Sequence, residues 1–136
     1  MNKKFRVWDI QDKSFYSLEY LREFKVSISF DGQTIDQDFW GGTKTIGEDV
    51  IVQHYIGADD KNKNPIYEGD VVAWTFHSGG KEIFQVIWDD FYCGFAFALK
   101  DGRGLNHTGF KLLNSPHGNE NYEVIGNIFE NPELLK

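Results

Sequence analysis

Alternation of apolar and polar residues runs through most of the chain and predicts strands. In residues 25–30 (KVSISF), Val26, Ile28 and Phe30 fall on one side and Lys25, Ser27 and Ser29 on the other, the pattern of a half-buried strand. Asp31-Gly32 follows as a strong turn signal, and the chain returns through Ile35 to Phe39-Trp40, so 25–40 is read as a β-hairpin. Residues 50–56 (VIVQHYI) are rich in β-branched side chains and stop at Gly57. A polar stretch, Ala58 to Pro65, then turns the chain.

Beyond it, 70–76 and 82–88 form a second hairpin through Ser78-Gly79-Gly80. In 92–100, Phe95, Phe97 and Leu99 share one face, with Cys93 inside the apolar strand as a buried, inert thiol. Gly94 is expected to mark a bulge or sharp bend there. Asp101-Gly102-Arg103-Gly104 is another turn, and 109–114 is a short element of open type. Residues 121–128 give a last strand with Tyr122 and Val124 inward, and Gly126 suits a bulge or a close backbone crossing. Asn131-Pro132-Glu133 starts a helical turn docked by Leu134 and Leu135. Only 14–24 shows helical spacing, through Phe15, Leu18, Leu21 and Phe24, although an irregular strand pair fits it equally.

The expected fold is therefore mainly β and antiparallel. About five strands in 66–128 suit a compact SH3-like barrel. Residues 1–57 would form a smaller, partly irregular hairpin region and 58–136 the barrel, or the two would make one continuous domain.

Charge and composition narrow the function. The net charge is −7, which disfavours general binding to duplex phosphates. Lys81, Lys100, Arg103 and Lys111 are the plausible suppliers of a local basic groove for single-stranded nucleic acid. One cysteine excludes an internal disulfide framework and a cysteine-built zinc site. No apolar run reaches bilayer length and no leader pattern opens the chain, so a cytoplasmic location is expected.

Catalytic and metal motifs are weak. Asp59-Asp60, Glu48-Asp49 and Asp89-Asp90 read as solvated turn acids. Asp60-Lys61-Asn62-Lys63-Asn64 imitates the opening of a calcium loop, but Pro65 stands where glycine is needed and Val71 where a bidentate glutamate is needed. His54, His77, His107 and His117 are scattered, and Gly41-Gly42-Thr43-Lys44-Thr45 lacks the phosphate-loop spacing. An enzyme would require Asp89 and Asp90 to meet His77 or His107 in a cleft. No enzyme activity, cofactor or metal is expected.

The aromatic content is 16%, with 12 Phe, 6 Tyr and 4 Trp, more than a thin barrel core accommodates. Phe39, Trp40, Tyr55, Phe91 and Tyr92 are the candidate interaction surface, for a protein partner or another copy of the chain.

Four segments together resemble the YopX family of bacteriophage and prophage proteins. They are Lys4 to Asp9, VIVQHYIGADDKNKNPIYEGDVV at 50–72, VIWDDFYCGFAF at 86–97 and YEVIGNIFENPELL at 122–135. The resemblance implies a β-rich fold with an SH3-like barrel in the C-terminal half, a phage or prophage setting and self-assembly. It brings no reaction with it. Its shared residues Trp8, Tyr67, Gly69, Asp70, Trp88 and Gly126 read as determinants of the fold: glycines for unusual backbone, Asp70 as a turn cap, and tryptophans in or half in the core.

Overall fold

The computed structural model describes residues 4–39, 42–100, 105–106 and 118–136. The chain divides into two compact units, Met1–His54 and Tyr55–Lys136, with the division inside one strand. The named strand pairs are all antiparallel. The fold is mainly β, as the alternation predicts. Among the described residues, no helix is long and apolar enough to cross a membrane.

In the first unit, β1 (Phe5–Asp9) pairs with β2 (Ser14–Phe15) and with the opening half of β6 (Val50–Asp59), Val7 lying opposite Val52. Between them lie α1 (Leu18–Glu23) and the sheet β3 (Ser27–Ile28), β4 (Thr34–Gln37) and β5 (Gly42–Thr45). The expected helix is shorter than 14–24 because Ser17 caps it: the Ser17 hydroxyl oxygen accepts from the Tyr20 N–H at 3.1 Å. Six residues are too few for an independent helix, and α1 is held by burying Leu21 with Val7, Val26, Ile35 and Val50.

The first hairpin forms, but Phe30 does not point inward. Its ladder ends at Ile28 opposite Ile35. The Ser29 hydroxyl donates to the Asp31 carboxylate at 2.8 Å, the Gln33 N–H donates to the same oxygen at 3.0 Å, and Gly32 takes φ +72°. These contacts make a turn that carries Phe30 into solvent, where it is fully exposed.

The second unit continues from β6 into β7 (Pro65–Tyr67), where Tyr55 lies opposite Tyr67. It also holds a five-stranded sheet. Its order is β11 (Leu105–Asn106), β10 (Gly94–Leu99), β9 (Lys81–Asp89), β8 (Asp70–Thr75) and β12 (Tyr122–Asn127). The hairpin expected at 70–88 is β8–β9, with Val72 opposite Phe84. Ile56, Ile66, Val72, Phe84, Val86, Phe97 and Tyr122 form the core beneath. Phe95, Phe97 and Leu99 all contact this core, as their alternation predicts.

The Tyr67–Asp70 motif is a strand entrance. Gly69 adopts φ +88°, donates its N–H to Val86 O at 2.8 Å and accepts the Ile128 N–H at 2.9 Å. Asp70 is buried and accepts the Tyr67 N–H at 2.8 Å. Trp8 is buried in the first unit, its ring edge-on to Phe15 at 4.9 Å.

Three sequence readings need correction in this unit. Gly94, read as a bulge or a sharp bend, pairs regularly with Asp89 and is no bulge; the bend lies just before it, with the left-handed backbone at Cys93, φ +51°. Cys93 is not buried but exposed, because it closes the turn before β10 starts. Asp60 is not a solvated acid. It is fully buried, and its two carboxylate oxygens accept the N–H groups of Asn62, Asn64 and Val124, each at 2.9 Å.

Gly126 follows a shift of register in the β12–β8 pairing. A Cβ built there would lie 2.6 Å from Asn131 Oδ1 and 2.8 Å from Leu134 Cδ1, so the backbone passes directly beneath the closing turn, Pro132–Leu135. Gly126→Ala is expected to displace that turn and lower stability by about 1–3 kcal/mol through overpacking. Urea unfolding of both proteins checks this, with exchange of the Leu134 amide reporting the displaced turn.

Candidate interaction surface

The β9–β10 turn shows how local polar chemistry puts large rings in water. Asp89 Oδ1 accepts the Phe91 N–H at 3.0 Å, an Asx turn that reverses the chain. Asp90 Oδ1 accepts the Trp88 indole N–H at 2.9 Å, fixing the ring that precedes the turn. The left-handed residue Cys93 completes the reversal, its Sγ 3.5 Å from Asp90 O. Both acids therefore act as turn builders.

Phe91 and Tyr92, between these fixed ends, are 87% and 65% exposed, with their rings edge to face at 5.1 Å. Trp88, expected in or half in the core, is 47% exposed, and it meets Phe95 edge to face at 5.1 Å. Phe95 in turn contacts the core. The result is an apolar tip on a hairpin, with Trp88 linking it to Phe95 on the sheet.

The other surface candidates lie elsewhere. Phe39 is exposed in the β4–β5 connection of the first unit, at φ +61° and 6.2 Å from the Phe24 ring. Trp40 lies outside the described residues. Tyr55 is half-buried against Tyr67, and its hydroxyl donates to Asp59 at 2.9 Å; burial first, and then Asp59, push that hydroxyl up to about 12.

The basic candidates come together in part. Lys81 and Lys100 line one groove of about 360 Å³ with Glu82, Ile83 and Lys136. They meet because the Lys100 N–H donates to Ile83 O at 3.1 Å, where β10 runs out beside the start of β9. Lys136 carries no sequence signal for this role. Arg103 and Lys111 lie outside the described residues.

The groove and the aromatic tip occupy opposite ends of the hairpin. Trp88 lies seven residue steps beyond Lys81 along β9, about 23 Å at ~3.3 Å per residue. His77, in the β8–β9 turn, is likewise a strand length from Asp89 and Asp90, so those groups do not share a cleft. His107 is outside the described residues. Among the described residues, no three His, Cys, Asp or Glu side chains come together to hold a metal ion.

Comparison with known proteins agrees with the architecture. The family model described as YopX protein matches residues 4–136. The crystal structure of protein EF1440 from Enterococcus faecalis is 25% identical with a TM-score of 0.61, covering 98% of this chain and 97% of that one. The crystal structure of yopX from Bacillus subtilis is 19% identical with a TM-score of 0.62, covering 100% of both chains, a likeness of fold. No curated protein matches.

Proposed function

The chain belongs to the YopX family, and from that premise we propose that it is a non-catalytic protein-binding module of a phage or prophage, working in the cytoplasm of the bacterial host. Its docking surface is the β9–β10 tip, and its partner is a second copy or another protein. The observation that supports this most is the pairing of Phe91 and Tyr92 in solvent beside Trp88, on a turn whose geometry is fixed by Asp89 and Asp90. Interface cores are enriched in Tyr, Trp and Phe, and a few such rings contribute most of the binding energy. We read the five-stranded sheet with its flanking turns as the SH3-like part of the fold.

Phe91→Ser with Tyr92→Ser is expected to leave the melting temperature nearly unchanged, since both rings are solvated. The same change should weaken association by about 30-fold or more, as loss of an interface anchor does. Sedimentation from low to high micromolar concentration tests the self-association branch, and binding to a purified partner tests the other. A doubly substituted protein that self-associates and binds the partner as the wild type does would end the reading.

The runner-up reading is a barrel that binds single-stranded nucleic acid. The gathering of Lys81, Lys100 and Lys136 favours it. The separation of those lysines from the exposed rings weighs against it, because such grooves interleave cations with stacking platforms. Salt-dependent binding of an oligonucleotide, lost in Lys81→Glu with Lys100→Glu, would reverse the ranking.

A further inference from the structure

A second site lies in the first unit, and it does not depend on the hairpin tip. Asp9 at the end of β1, Asp12 in the following turn, Phe15 and Tyr16 beyond it, Tyr20 on α1 and Lys44 on β5 line a concavity of about 450 Å³. That volume falls within the range of ligand pockets. Its lining combines aromatic side chains with carboxylates. The Tyr16 and Tyr20 rings sit 4.5 Å apart, tilted by 50°. Tyr20 is held from behind by Phe24 at 4.5 Å and by its hydroxyl, which donates to Gln37 at 2.7 Å. The arrangement is therefore built before any ligand arrives.

The electrostatics favour a cation. Two carboxylates face one ammonium in the lining. The Tyr16 hydroxyl is pushed up to about 12 by burial, with Tyr20 and the carboxylates of Asp9, Asp12 and Asp49 adding to it. Burial and then Asp9 raise Tyr20 as well. Both hydroxyls therefore stay protonated, and the rings carry the negative faces of any neutral aromatic. The neighbouring surface already holds such a partner: the Arg6 guanidinium lies over the Phe15 ring, 4.5 Å from its centre. A guanidinium satisfies aromatic faces and carboxylates at once, by stacking and by forked N–H donation.

We propose that this concavity is a binding site for a guanidinium group, held against the Tyr16–Tyr20 pair and within reach of Asp12. Lys44 sits in the same lining as a competing charge and sets the affinity low.

The probe is an acetylated, amidated arginine, titrated into the full chain at low salt while the Tyr16 and Tyr20 ring resonances are followed. The capped lysine and capped citrulline are run in parallel, and uncapped arginine beside a capped Gly-Gly-Arg-Gly-Gly peptide separates the free amino acid from a polypeptide source. Arginine is expected to bind about tenfold more tightly than citrulline, which keeps the shape without the charge. Asp12→Asn removes an exposed charge without touching the core, and should weaken binding about fivefold. Lys44→Gln should strengthen it by a similar factor, an effect that damage to the fold does not produce. Equal binding of citrulline and arginine, perturbations confined to other residues, or an affinity indifferent to both Asp12→Asn and Lys44→Gln would each overturn the proposal. Binding of both the peptide and uncapped arginine, or of either alone, supports a guanidinium site and tells which source it takes, and binding of neither would overturn it.

Discussion

Asp60→Ala is expected to lower the stability of the second unit by about 3–5 kcal/mol, far more than a turn acid ordinarily contributes. One carboxylate oxygen accepts the N–H groups of Asn62 and Asn64, and the other accepts that of Val124, across 64 residues of sequence. The Lys61 N–H donates to Tyr122 O at 2.9 Å beside it, so the β6–β7 turn is laced to the start of β12. Alanine leaves these donors facing a buried void, and each lost acceptor costs about 1–3 kcal/mol without strict additivity. Asp60→Asn is the sharper variant. Its volume is the same, but one carboxylate oxygen becomes an NH₂ that opposes an N–H donor in either orientation. It is therefore expected to cost about 2–3 kcal/mol. Urea unfolding measures both, and hydrogen exchange at Val124 localises the effect. An Asp60→Asn protein as stable as the parent would show that the carboxylate is replaceable by shape alone.

The same residue marks where sequence reading stops. The strand 70–75, the turn at Gly79-Gly80 and the inward set Phe95, Phe97 and Leu99 are legible because each depends on neighbours a few positions away. Asp60 is different. The spacing Asp60, Asn62, Asn64 is visible as a turn, but the donor that completes its burial belongs to Val124. Phe30 fails for the opposite reason: alternation gives the phase of a strand and not its end, and the ladder stops at Ile28. Cys93 and Gly94 show a third limit. The left-handed residue is the cysteine, since the Asx turn at Asp89 sets where the chain reverses, whatever the local glycine permits. Of the interaction candidates, Phe91 and Tyr92 are found from ring surplus and a turn, whereas Trp88, read as core or half-buried, is the half-buried ring beside them and carried no signal for the surface. Lys81 and Lys100 were identifiable as cations, but Lys136 joins them only through tertiary structure.

Phe97→Ala is expected to lower stability by about 3–5 kcal/mol, the range for truncating a buried aromatic ring. The ring is fully buried, 5.5 Å from Phe84 and 5.5 Å from Tyr122, on a strand paired on both sides. Those partners come from β9 and β12, so the void opens where two other strands meet the core. The frame on either side is fixed by ladders, Phe97 lying opposite Val86 and Asn106, and the sheet cannot close over the gap. Phe97→Leu keeps most of the volume and should cost about half as much. The contrast with Phe91, six residues away on the same hairpin, carries the functional argument. Both are phenylalanines in one apolar segment, and only their burial differs. Denaturant midpoints should fall steeply for Phe97→Ala and hardly at all for Phe91→Ser, while association should follow the reverse order. If Phe91→Ser instead unfolded the protein, the tip would belong to the core and the binding surface would have to be sought elsewhere on the molecule.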